Sequence, residues 1–386
     1  MLSNKVVDKL RGYRTPFYLY DLDLLRQTLK LVGEACDKYG YKMHYSMKAN
    51  SDRRVMECVK EAGMGIDCVS GNEVVYAVEM GFDPKEIVFA GVGKRDEEIV
   101  YGIEHGIMAF NCESKHEVEI INEIAAGLGK KVDVALRINP DIDSKTEEHI
   151  TTGKADCKFG ISRRELAELF DELPALKYVN VMGLHFHVGS QITDMSVFEL
   201  LCQEVNKLYA WIVEQGIRIE SLDMGGGLGV DYNDPDGQPL PDVEAYFDVF
   251  AKNLKIEPHT VVRFELGRAV VAQCGELISK VLYLKVNESG RRVAVIDASM
   301  TELIRPAMYN AHHAVENLDG AGRDKDIFTV VGTVCESSDN FAVSEEFPEF
   351  RRGDFVTIKT AGAYGASMAS TYNMHLLPAA VYSDDL

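Results

Sequence analysis

The sequence predicts an α/β protein in which a (β/α)8 TIM barrel is followed by a smaller, mostly antiparallel β-domain. Two observations indicate this fold class. Short apolar runs alternate with longer amphipathic segments from residue 42 to residue 265, which is typical of βα units that build a parallel sheet. After residue 276 this alternation ends, and β-branched runs separated by turns take its place.

Eight apolar runs are the candidate barrel strands, and their number favours a closed barrel over an open doubly wound sheet. In chain order they are residues 42–48, 66–70, 87–90, 107–111, 132–138, 180–187, 220–224 and 260–265. The segments between them have helical periodicity, and in residues 196–214 the apolar side chains recur on one face. Several of these segments end at a glycine, namely Gly63, Gly81, Gly106 and Gly216.

Four β-rich runs indicate the second domain, and they cover residues 277–286, 291–297, 327–335 and 354–362. The segment Thr15–Asp21 also has strand character, so we expect the N-terminal residues to join this domain. We therefore predict a barrel domain over residues 25–275. The predicted β-domain covers residues 276–386 and is completed by residues 1–24.

The charge balance and the cysteines limit the class of function. The 386-residue chain has a formal net charge of −20, which argues against a nucleic-acid partner. No apolar run reaches the roughly 20 residues that cross a bilayer, and the first residues lack the apolar core of a secretory signal. We therefore expect a cytoplasmic protein with no membrane partner. The eight cysteines are scattered with no C-x-x-C pair, so we expect neither a disulfide framework nor a metal site.

Reactive side chains are found where the predicted strands end. In a barrel of this kind the carboxyl ends of the strands form the active-site face, and phosphate is often held after strands 7 and 8. Lys48 ends the first strand and His187 ends the sixth. The seventh strand runs into residues 225–229, and the eighth runs into residues 265–268. The glycine cluster is not a dinucleotide fingerprint, because Val230 stands where the last glycine is required.

A lysine, a glycine-rich phosphate cradle and a carboxylate at one barrel mouth point to pyridoxal 5'-phosphate. This cofactor needs an amine for its Schiff base, donors for its phosphate and a partner for its pyridine nitrogen. We expect the apolar strand and cationic neighbours to keep the Lys48 amine neutral. We expect Glu265 to keep the pyridine nitrogen protonated, and Arg268 to bind phosphate together with the glycine N–H groups.

Nine motifs, in family order, make the chain resemble the fold-type III pyridoxal-phosphate decarboxylases, and within them the branch that acts on diaminopimelate. The motifs are "YSMKAN", "GIDCVSGNEV", "NPDIDSKTEEHITTGKADCKFGIS", "GLHFHVGSQI", "DMGGGLGV", "ELGR", "IRPAMY", "CESSD" and "GAYGASMASTYN". The resemblance covers nearly the whole chain and implies an alanine-racemase-like barrel with a β-domain. It also implies decarboxylation of meso-2,6-diaminopimelate to L-lysine and CO2, the last step of lysine biosynthesis.

The resemblance assigns roles to individual residues. Lys48 would form the Schiff base, and Cys335 would return a proton to the carbanion. The implied cofactor-binding residues are Lys48, His187, Ser190, Gly226, Gly227, Glu265, Gly267, Arg268 and Tyr364, with His187 stacked on the pyridine ring. The implied substrate-binding residues are Arg268, Arg305, Tyr309, Glu336 and Tyr364. Members of this family share active sites across a homodimer, so Cys335 and Glu336 would reach the barrel of the partner subunit.

Three other functions are compatible with this fold, and individual residues argue against each of them. A related decarboxylase could act on carboxynorspermidine, ornithine or arginine, but Arg305 favours a substrate with a distal carboxylate. A racemase of similar fold would pair the pyridine nitrogen with an arginine, whereas Glu265 stands at that strand end. A catalytically inactive regulator would be expected to lose Lys48 or Cys335, and both are present. Leu266 departs from the family, which usually has proline there.

Overall fold

A closed barrel of eight parallel strands forms most of the protein, in the computed structural model that describes residues 4–140, 142 and 158–386. Helix α1 (Asn4–Leu10), strand β1 (Phe17–Tyr20) and helix α2 (Leu22–Tyr39) precede the barrel. The barrel strands are β2 (Lys42–Ser46), β3 (Gly65–Cys68), β4 (Ile87–Phe89), β5 (Ala109–Cys112), β6 (Val132–Arg137), β7 (Val179–His185), β8 (Ser221–Asp223) and β9 (Val261–Leu266). Strand β9 pairs with β2 and closes the barrel. The predicted fold class and all eight predicted strands are confirmed.

Amphipathic helices surround the barrel and connect its strands. They are α3 (Arg53–Glu61), α4 (Gly71–Glu79), α5 (Asp96–His105), α6 (Lys115–Leu128), α7 (Arg163–Glu172), α8 (Ser196–Glu214) and α9 (Val243–Asn253). Helix α8 has the bounds that its periodicity predicts. Each glycine predicted to end a helix has a positive φ, from 66° at Gly106 to 82° at Gly216, a conformation that glycine adopts without a Cβ clash.

A second sheet follows the barrel after the short helix α10 (Arg268–Val271). Its elements are β10 (Gly275–Val286), β11 (Arg292–Ile296), α11 (Arg305–Tyr309), β12 (Val315–Asn317), β13 (Lys325–Val331), β14 (Asn340–Pro348), β15 (Phe355–Ile358) and β16 (Ala379–Tyr382). Most of its strand pairs are antiparallel, although β11 runs parallel to β13. Strand β1 pairs with both β10 and β16. The exact domain boundaries stay a prediction.

The sequence reading misplaced some strand ends and missed three strands. Strand β2 ends at Ser46, and Lys48 lies in a one-turn 3-10 helix, Met47–Ala49, rather than in the strand. Strand β7 ends at His185, two residues before His187. The missed strands β12, β14 and β16 are short or rich in polar residues, so they lack the apolar runs on which the prediction depended. None of the helices that the structure describes is long and apolar enough to span a bilayer.

Candidate active site

A cavity of about 370 Å³ lies at the carboxyl ends of the barrel strands, and we refer to it as the lysine cavity. Its walls include Lys48, Arg137, His185, His187 and Glu265. Three of these residues, Lys48, His187 and Glu265, come from different strand ends and were predicted from the sequence to meet at one mouth. The structure brings them together.

Lys48 forms an ion pair at the edge of this cavity. Its Nζ lies 2.9 Å from Oδ2 of Asp67, and the same oxygen accepts a hydrogen bond of 2.9 Å from the Ser46 hydroxyl. Burial is the largest single influence and would lower the pKa of Lys48, but the charge and hydrogen bond of Asp67, together with the charges of Tyr364 and Glu265, outweigh burial and raise the pKa well above its usual value. The expectation of a neutral amine is therefore wrong for this structure, because Asp67, from the neighbouring strand β3, forms an ion pair with Lys48.

Glu265 belongs to a buried hydrogen-bonded group near the end of β9, the strand that pairs with β2. Its carboxylate oxygens lie 3.2 Å from the Asn111 amide nitrogen and 2.9 Å from Nε2 of His185. Burial, followed by the negative charge of Asp67, raises the pKa of Glu265 to about 8. Burial lowers the pKa of His185 to about 4, so this imidazole is neutral.

Asp223 completes the same buried group. Its Oδ1 accepts a hydrogen bond of 2.8 Å from the N–H of Gly225, and burial followed by the charge of Glu265 raises its pKa to about 8. Sequence reasoning missed Asp67, Asn111, His185 and Asp223. The available signal was a single polar residue inside an otherwise apolar strand, since such a residue in a barrel points either into the protein or into a site.

The glycine cluster after β8 packs tightly against the strand on either side. A Cβ at Gly226 would lie 2.0 Å from the carbonyl oxygen of Glu265, so only glycine allows this approach. Gly225 and Gly227 have φ angles of 69° and 109°. The N–H of Gly226 donates to Nδ1 of His187 at 3.4 Å. The cluster therefore presents main chain, rather than side chains, beside His187.

Ser190 and Arg268 meet beside this cluster. The Ser190 hydroxyl oxygen lies 3.2 Å from Nε and 3.1 Å from Nη2 of Arg268. It therefore accepts hydrogen bonds from two N–H groups of the same guanidinium. Gly267 packs against the turn that carries the lysine, because a Cβ there would lie 2.9 Å from Cβ of Ala49. Tyr364 joins the same turn, since its N–H donates to the carbonyl of Ala49 at 2.8 Å.

A second pocket has a volume of about 670 Å³, and we refer to it as the arginine pocket. Arg268, Arg305, Tyr309 and Tyr232 are among its lining residues. Arg305 lies 4.5 Å from the ring centroid of Tyr232, and Nη1 of Arg268 donates to the Tyr232 hydroxyl at 2.6 Å. Arg268 also lies 4.8 Å from the ring of Tyr364. Sequence reasoning identified both arginines but missed Tyr232.

The two guanidiniums are buried cations, and two acidic residues, Asp231 and Asp242, line the same pocket. Arg268 is 5% exposed and Arg305 is 4% exposed, and burial lowers the pKa of Arg305 without a nearby carboxylate to oppose it. Neither forms an ion pair with a carboxylate among the described residues, and Nε of Arg305 has no hydrogen-bond partner there. A pocket with this charge is suited to an anionic ligand group.

Cys335 and Glu336 lie on the surface of the chain, away from the residues that line both pockets. Cys335 is the exposed member of the seven cysteines that the structure describes, and the other six are buried. Its N–H donates to Asn373 at 3.4 Å, and the Tyr372 hydroxyl donates to Glu336 at 2.8 Å. Cys157 and most of the motif over residues 139–162 lie outside the described residues.

Comparison with known proteins agrees with this geometry. Residues 22–272 match the family model of the pyridoxal-dependent decarboxylase pyridoxal binding domain. A diaminopimelate decarboxylase from Bacteroides thetaiotaomicron is 48% identical over 381 residues, which are 98% of each chain. The chain belongs to the pyridoxal-dependent decarboxylases.

Solved structures of the family superpose closely on this chain. The diaminopimelate decarboxylase from Helicobacter pylori complexed with L-lysine has a TM-score of 0.92 and 35% identity, covering 99% of this chain and 94% of that chain. The diaminopimelate decarboxylase from M. jannaschii in co-complex with L-lysine has a TM-score of 0.89 and 33% identity, covering 98% and 89%. The predicted enzyme class, a pyridoxal-phosphate-dependent carboxy-lyase resembling diaminopimelate decarboxylase, is confirmed.

The residues of the lysine cavity fit the cofactor of this family. An amine and a carboxyl group face one space of a size typical of small-molecule sites. The carboxyl of Glu265 is linked to a neutral histidine rather than to a cation, so it is free to serve the protonated pyridine nitrogen. The glycine cluster, Ser190 and Arg268 supply donors of the kind that bind phosphate. The individual roles of these residues stay predictions.

Proposed function

We propose that the enzyme decarboxylates meso-2,6-diaminopimelate to L-lysine, and that the lysine cavity and the arginine pocket receive opposite ends of this substrate. The observation that carries the proposal is the pair of buried guanidiniums that have no carboxylate partner among the described residues, in a protein that also has a cavity with an amine and a carboxyl group. Diaminopimelate has a second carboxylate far from its reacting carbon, and this group matches the arginine pocket in charge.

In the lysine cavity, Lys48 would hold pyridoxal phosphate through its amine. When bound, the cofactor supplies an electron-accepting ring for the electron pair that is released as carbon dioxide leaves. Asp67, 2.9 Å from Nζ, keeps the amine in place at the cavity edge. Because Asp67 also raises the pKa of Lys48, we expect the apoprotein to take up cofactor faster as the pH rises.

Glu265 would hold a proton at the pyridine nitrogen, and His185 and Asn111 would orient its carboxyl group. His187 would stack on the ring from its place beside the glycine cluster. The phosphate would be bound by the side chain of Ser190 and by Arg268, together with main-chain N–H groups of Gly226, Gly227 and Gly267.

At the substrate end, Arg305 would receive the distal carboxylate together with Arg268 and Tyr309. A guanidinium offers two parallel N–H donors to a carboxylate, so the pair fixes orientation as well as charge. Tyr364 would contact both ligands, because its ring lies against Arg268 while its main chain joins the turn of Lys48.

Cys335 and Glu336 would act in the active site of a second subunit of a homodimer. Exposed apolar side chains follow their hydrogen-bond partners Tyr372 and Asn373 in the chain, and Met374, Leu376 and Leu377 are 91%, 74% and 62% exposed. A patch of this kind beside a reactive thiol is typical of a surface that a partner covers. In the partner's pocket Glu336 could pair with an ammonium group, and Cys335 could deliver a proton to the carbon that loses carbon dioxide.

Related decarboxylases of plain diamino acids are the alternative. The lysine/ornithine decarboxylase from Vibrio vulnificus shares the fold at a TM-score of 0.85, but its identity to this chain is 21%. A substrate that lacks a distal carboxylate would leave Arg305 buried without a counter-charge, which is unfavourable. The arginine pocket therefore favours diaminopimelate over ornithine.

The test compares substrates and variants in one assay of carbon dioxide release. The enzyme is incubated in parallel with meso-diaminopimelate, ornithine and carboxynorspermidine, and we expect turnover of the first alone. Arg305→Ala should raise the KM for meso-diaminopimelate by about 30-fold or more, since a charge-assisted hydrogen-bond pair is lost. Its cofactor content should be unchanged.

Arg305→Lys is the matched control, because it keeps the charge but loses the planar fork, and its KM should lie between those of the wild type and Arg305→Ala. Equal turnover of ornithine would contradict the proposal. So would an Arg305→Ala variant that loses cofactor and substrate affinity together, because Arg305 would then serve the cofactor.

A further inference from the structure

The Arg305 guanidinium is hydrogen-bonded to a buried histidine, His313, to which the proposed function gives no role. Nε2 of His313 lies 2.7 Å from Nη1 of Arg305, and its Nδ1 lies 2.9 Å from the main-chain carbonyl oxygen of Lys359. His313 is 1% exposed. Its ring also meets the ring of Tyr232 edge-on, with centroids 4.9 Å apart.

The chemistry of the two partners determines the tautomer of His313. A guanidinium can only donate hydrogen bonds and a carbonyl oxygen can only accept them. Both bonds form together only when Nδ1 carries the proton and Nε2 offers its lone pair to Arg305. His313 is therefore neutral. Burial, followed by the positive charge of Arg305, lowers its pKa to about 3, in agreement with this geometry.

A neutral acceptor differs in one important respect from the carboxylate that usually orients an arginine. A carboxylate would fix the guanidinium but would also neutralise it, and it would compete with an anionic substrate. His313 fixes Nη1 and leaves the positive charge unopposed. The carbonyl that orients His313 belongs to strand-end residue Lys359, whose N–H donates to the carbonyl of Ala314 at 2.9 Å. The anchor is thus part of the second sheet.

We propose that His313 is a positioning residue for substrate recognition: as its Nδ1–H tautomer, it holds Arg305 in the orientation that receives the distal carboxylate. The proposal rests on the proposed function, because Arg305 must contact substrate. His313 itself touches neither the cofactor nor the reacting atoms, so its effect falls on substrate affinity and not on the chemical step.

The test measures KM, kcat and cofactor content of the holoenzyme with meso-diaminopimelate for His313→Phe and His313→Gln. Phenylalanine keeps an aromatic ring of similar size but makes neither hydrogen bond. We expect KM to rise about 10-fold, with kcat within about 3-fold of the wild type and cofactor content unchanged. Glutamine offers an amide oxygen to Arg305 and an amide N–H to Lys359, so it should restore much of the affinity.

A third variant, His313→Glu, separates orientation from charge. It can accept from Arg305 but neutralises it, so its KM should exceed that of His313→Gln. If His313→Phe fails to fold, the comparison of KM between His313→Glu and His313→Gln still tests the proposal. Equal KM values for the Glu and Gln variants, or a wild-type KM for His313→Phe, would overturn the proposal.

Arg305→Ala, measured in parallel, tests the proposed function separately from the positioning role of His313. If Arg305→Ala raises KM while His313→Phe does not, only the positioning role of His313 is wrong. If Arg305→Ala itself leaves KM unchanged, the proposed function is wrong, and the role of His313 is wrong with it.

Discussion

The lysine cavity and the arginine pocket are lined by different residues, and they differ in the pairing of their charges. In the lysine cavity the cation Lys48 has a carboxylate 2.9 Å away, and Glu265, a carboxyl group with a raised pKa, lines the same cavity. Asp223, whose pKa is also raised, lies beside Glu265. In the arginine pocket the two buried cations form no ion pair with a carboxylate among the described residues, and their hydrogen-bond partners Tyr232 and His313 are neutral, although Asp231 and Asp242 also line the pocket.

Because of this difference, the lysine cavity is suited to the reaction and the arginine pocket is suited to substrate recognition. A cavity with internal ion pairs and shared protons can hold and move a proton without help from substrate. A pocket with unopposed cations is complete only when an anion enters it. The same barrel mouth can therefore perform a reaction that is common to many amino acids and still select one of them.

The largest effect should come from removing the amine. Lys48→Ala should lower kcat by about 10⁴-fold or more, because the group that holds the cofactor is lost. Steady-state carbon dioxide release and the visible absorbance of the purified protein measure this. A Lys48→Ala variant with wild-type turnover would contradict the role of the cavity.

Lys94 provides the matched control, since it is a lysine near the cavity wall whose side chain is fully buried. Its three N–H donors are used by the carbonyls of Gly91 and Asn111, at 2.9 Å each, and by Glu117 at 2.5 Å. Lys94→Met should therefore lower the thermal midpoint while the folded enzyme retains its cofactor.

An intermediate effect is expected from the exposed thiol. Cys335→Ala should lower kcat by about 100-fold, the usual range for a lost general acid, with cofactor content unchanged. The buried residue Cys202 supplies the control, because Cys202→Ala removes a core thiol far from the surface patch and should leave kcat nearly unaltered.

Mixing the Lys48→Ala and Cys335→Ala proteins tests whether the site is shared between subunits. Hybrid dimers would contain one pocket with both residues intact, so turnover should reappear after mixing. Two inactive proteins that stay inactive, although they exchange subunits, would show that Cys335 does not act across the interface.

The smallest effect concerns the stability of the apoprotein. The pKa of Asp223 is raised to about 8, so the folded protein keeps a proton that the unfolded chain releases near pH 4. Because the native state binds more protons, the free energy of unfolding falls as the pH rises through this window, by about 1 kcal/mol per pH unit for one such group.

Asp223→Asn should therefore flatten the loss of thermal stability between pH 6 and pH 8, which scanning calorimetry can measure. Glu220→Gln, at an exposed side chain on the same part of the barrel, should keep the wild-type slope. An Asp223→Asn variant with an unchanged slope would mean that another group accounts for the pH dependence.

Much of the fold could be predicted because barrel strands that are buried on both faces form continuous apolar runs. Lys48, His187 and Glu265 were found for the same reason, since each stands where such a run ends. Asp67 and His185 could not be placed, because their contacts depend on the register between strands that are distant in sequence. The protonation of Lys48 was wrongly predicted for that reason.

The second sheet was harder to predict than the barrel. Strand β14 contains three consecutive polar residues, 344–346, and pairs with β13 through an irregular register, so its apolar residues form only a short run. Tyr232 was missed because it lies just before a polar loop, and its importance comes from two arginines that follow much later in the chain.

The most direct measurement asks which lysine carries the cofactor. The holoenzyme is reduced with borohydride, digested and analysed by mass spectrometry, since reduction fixes the cofactor to its amine. The account predicts that the modified peptide contains Lys48 and that the peptide with Lys94 is unmodified. Modification of Lys94, or of any lysine outside the lysine cavity, would contradict it.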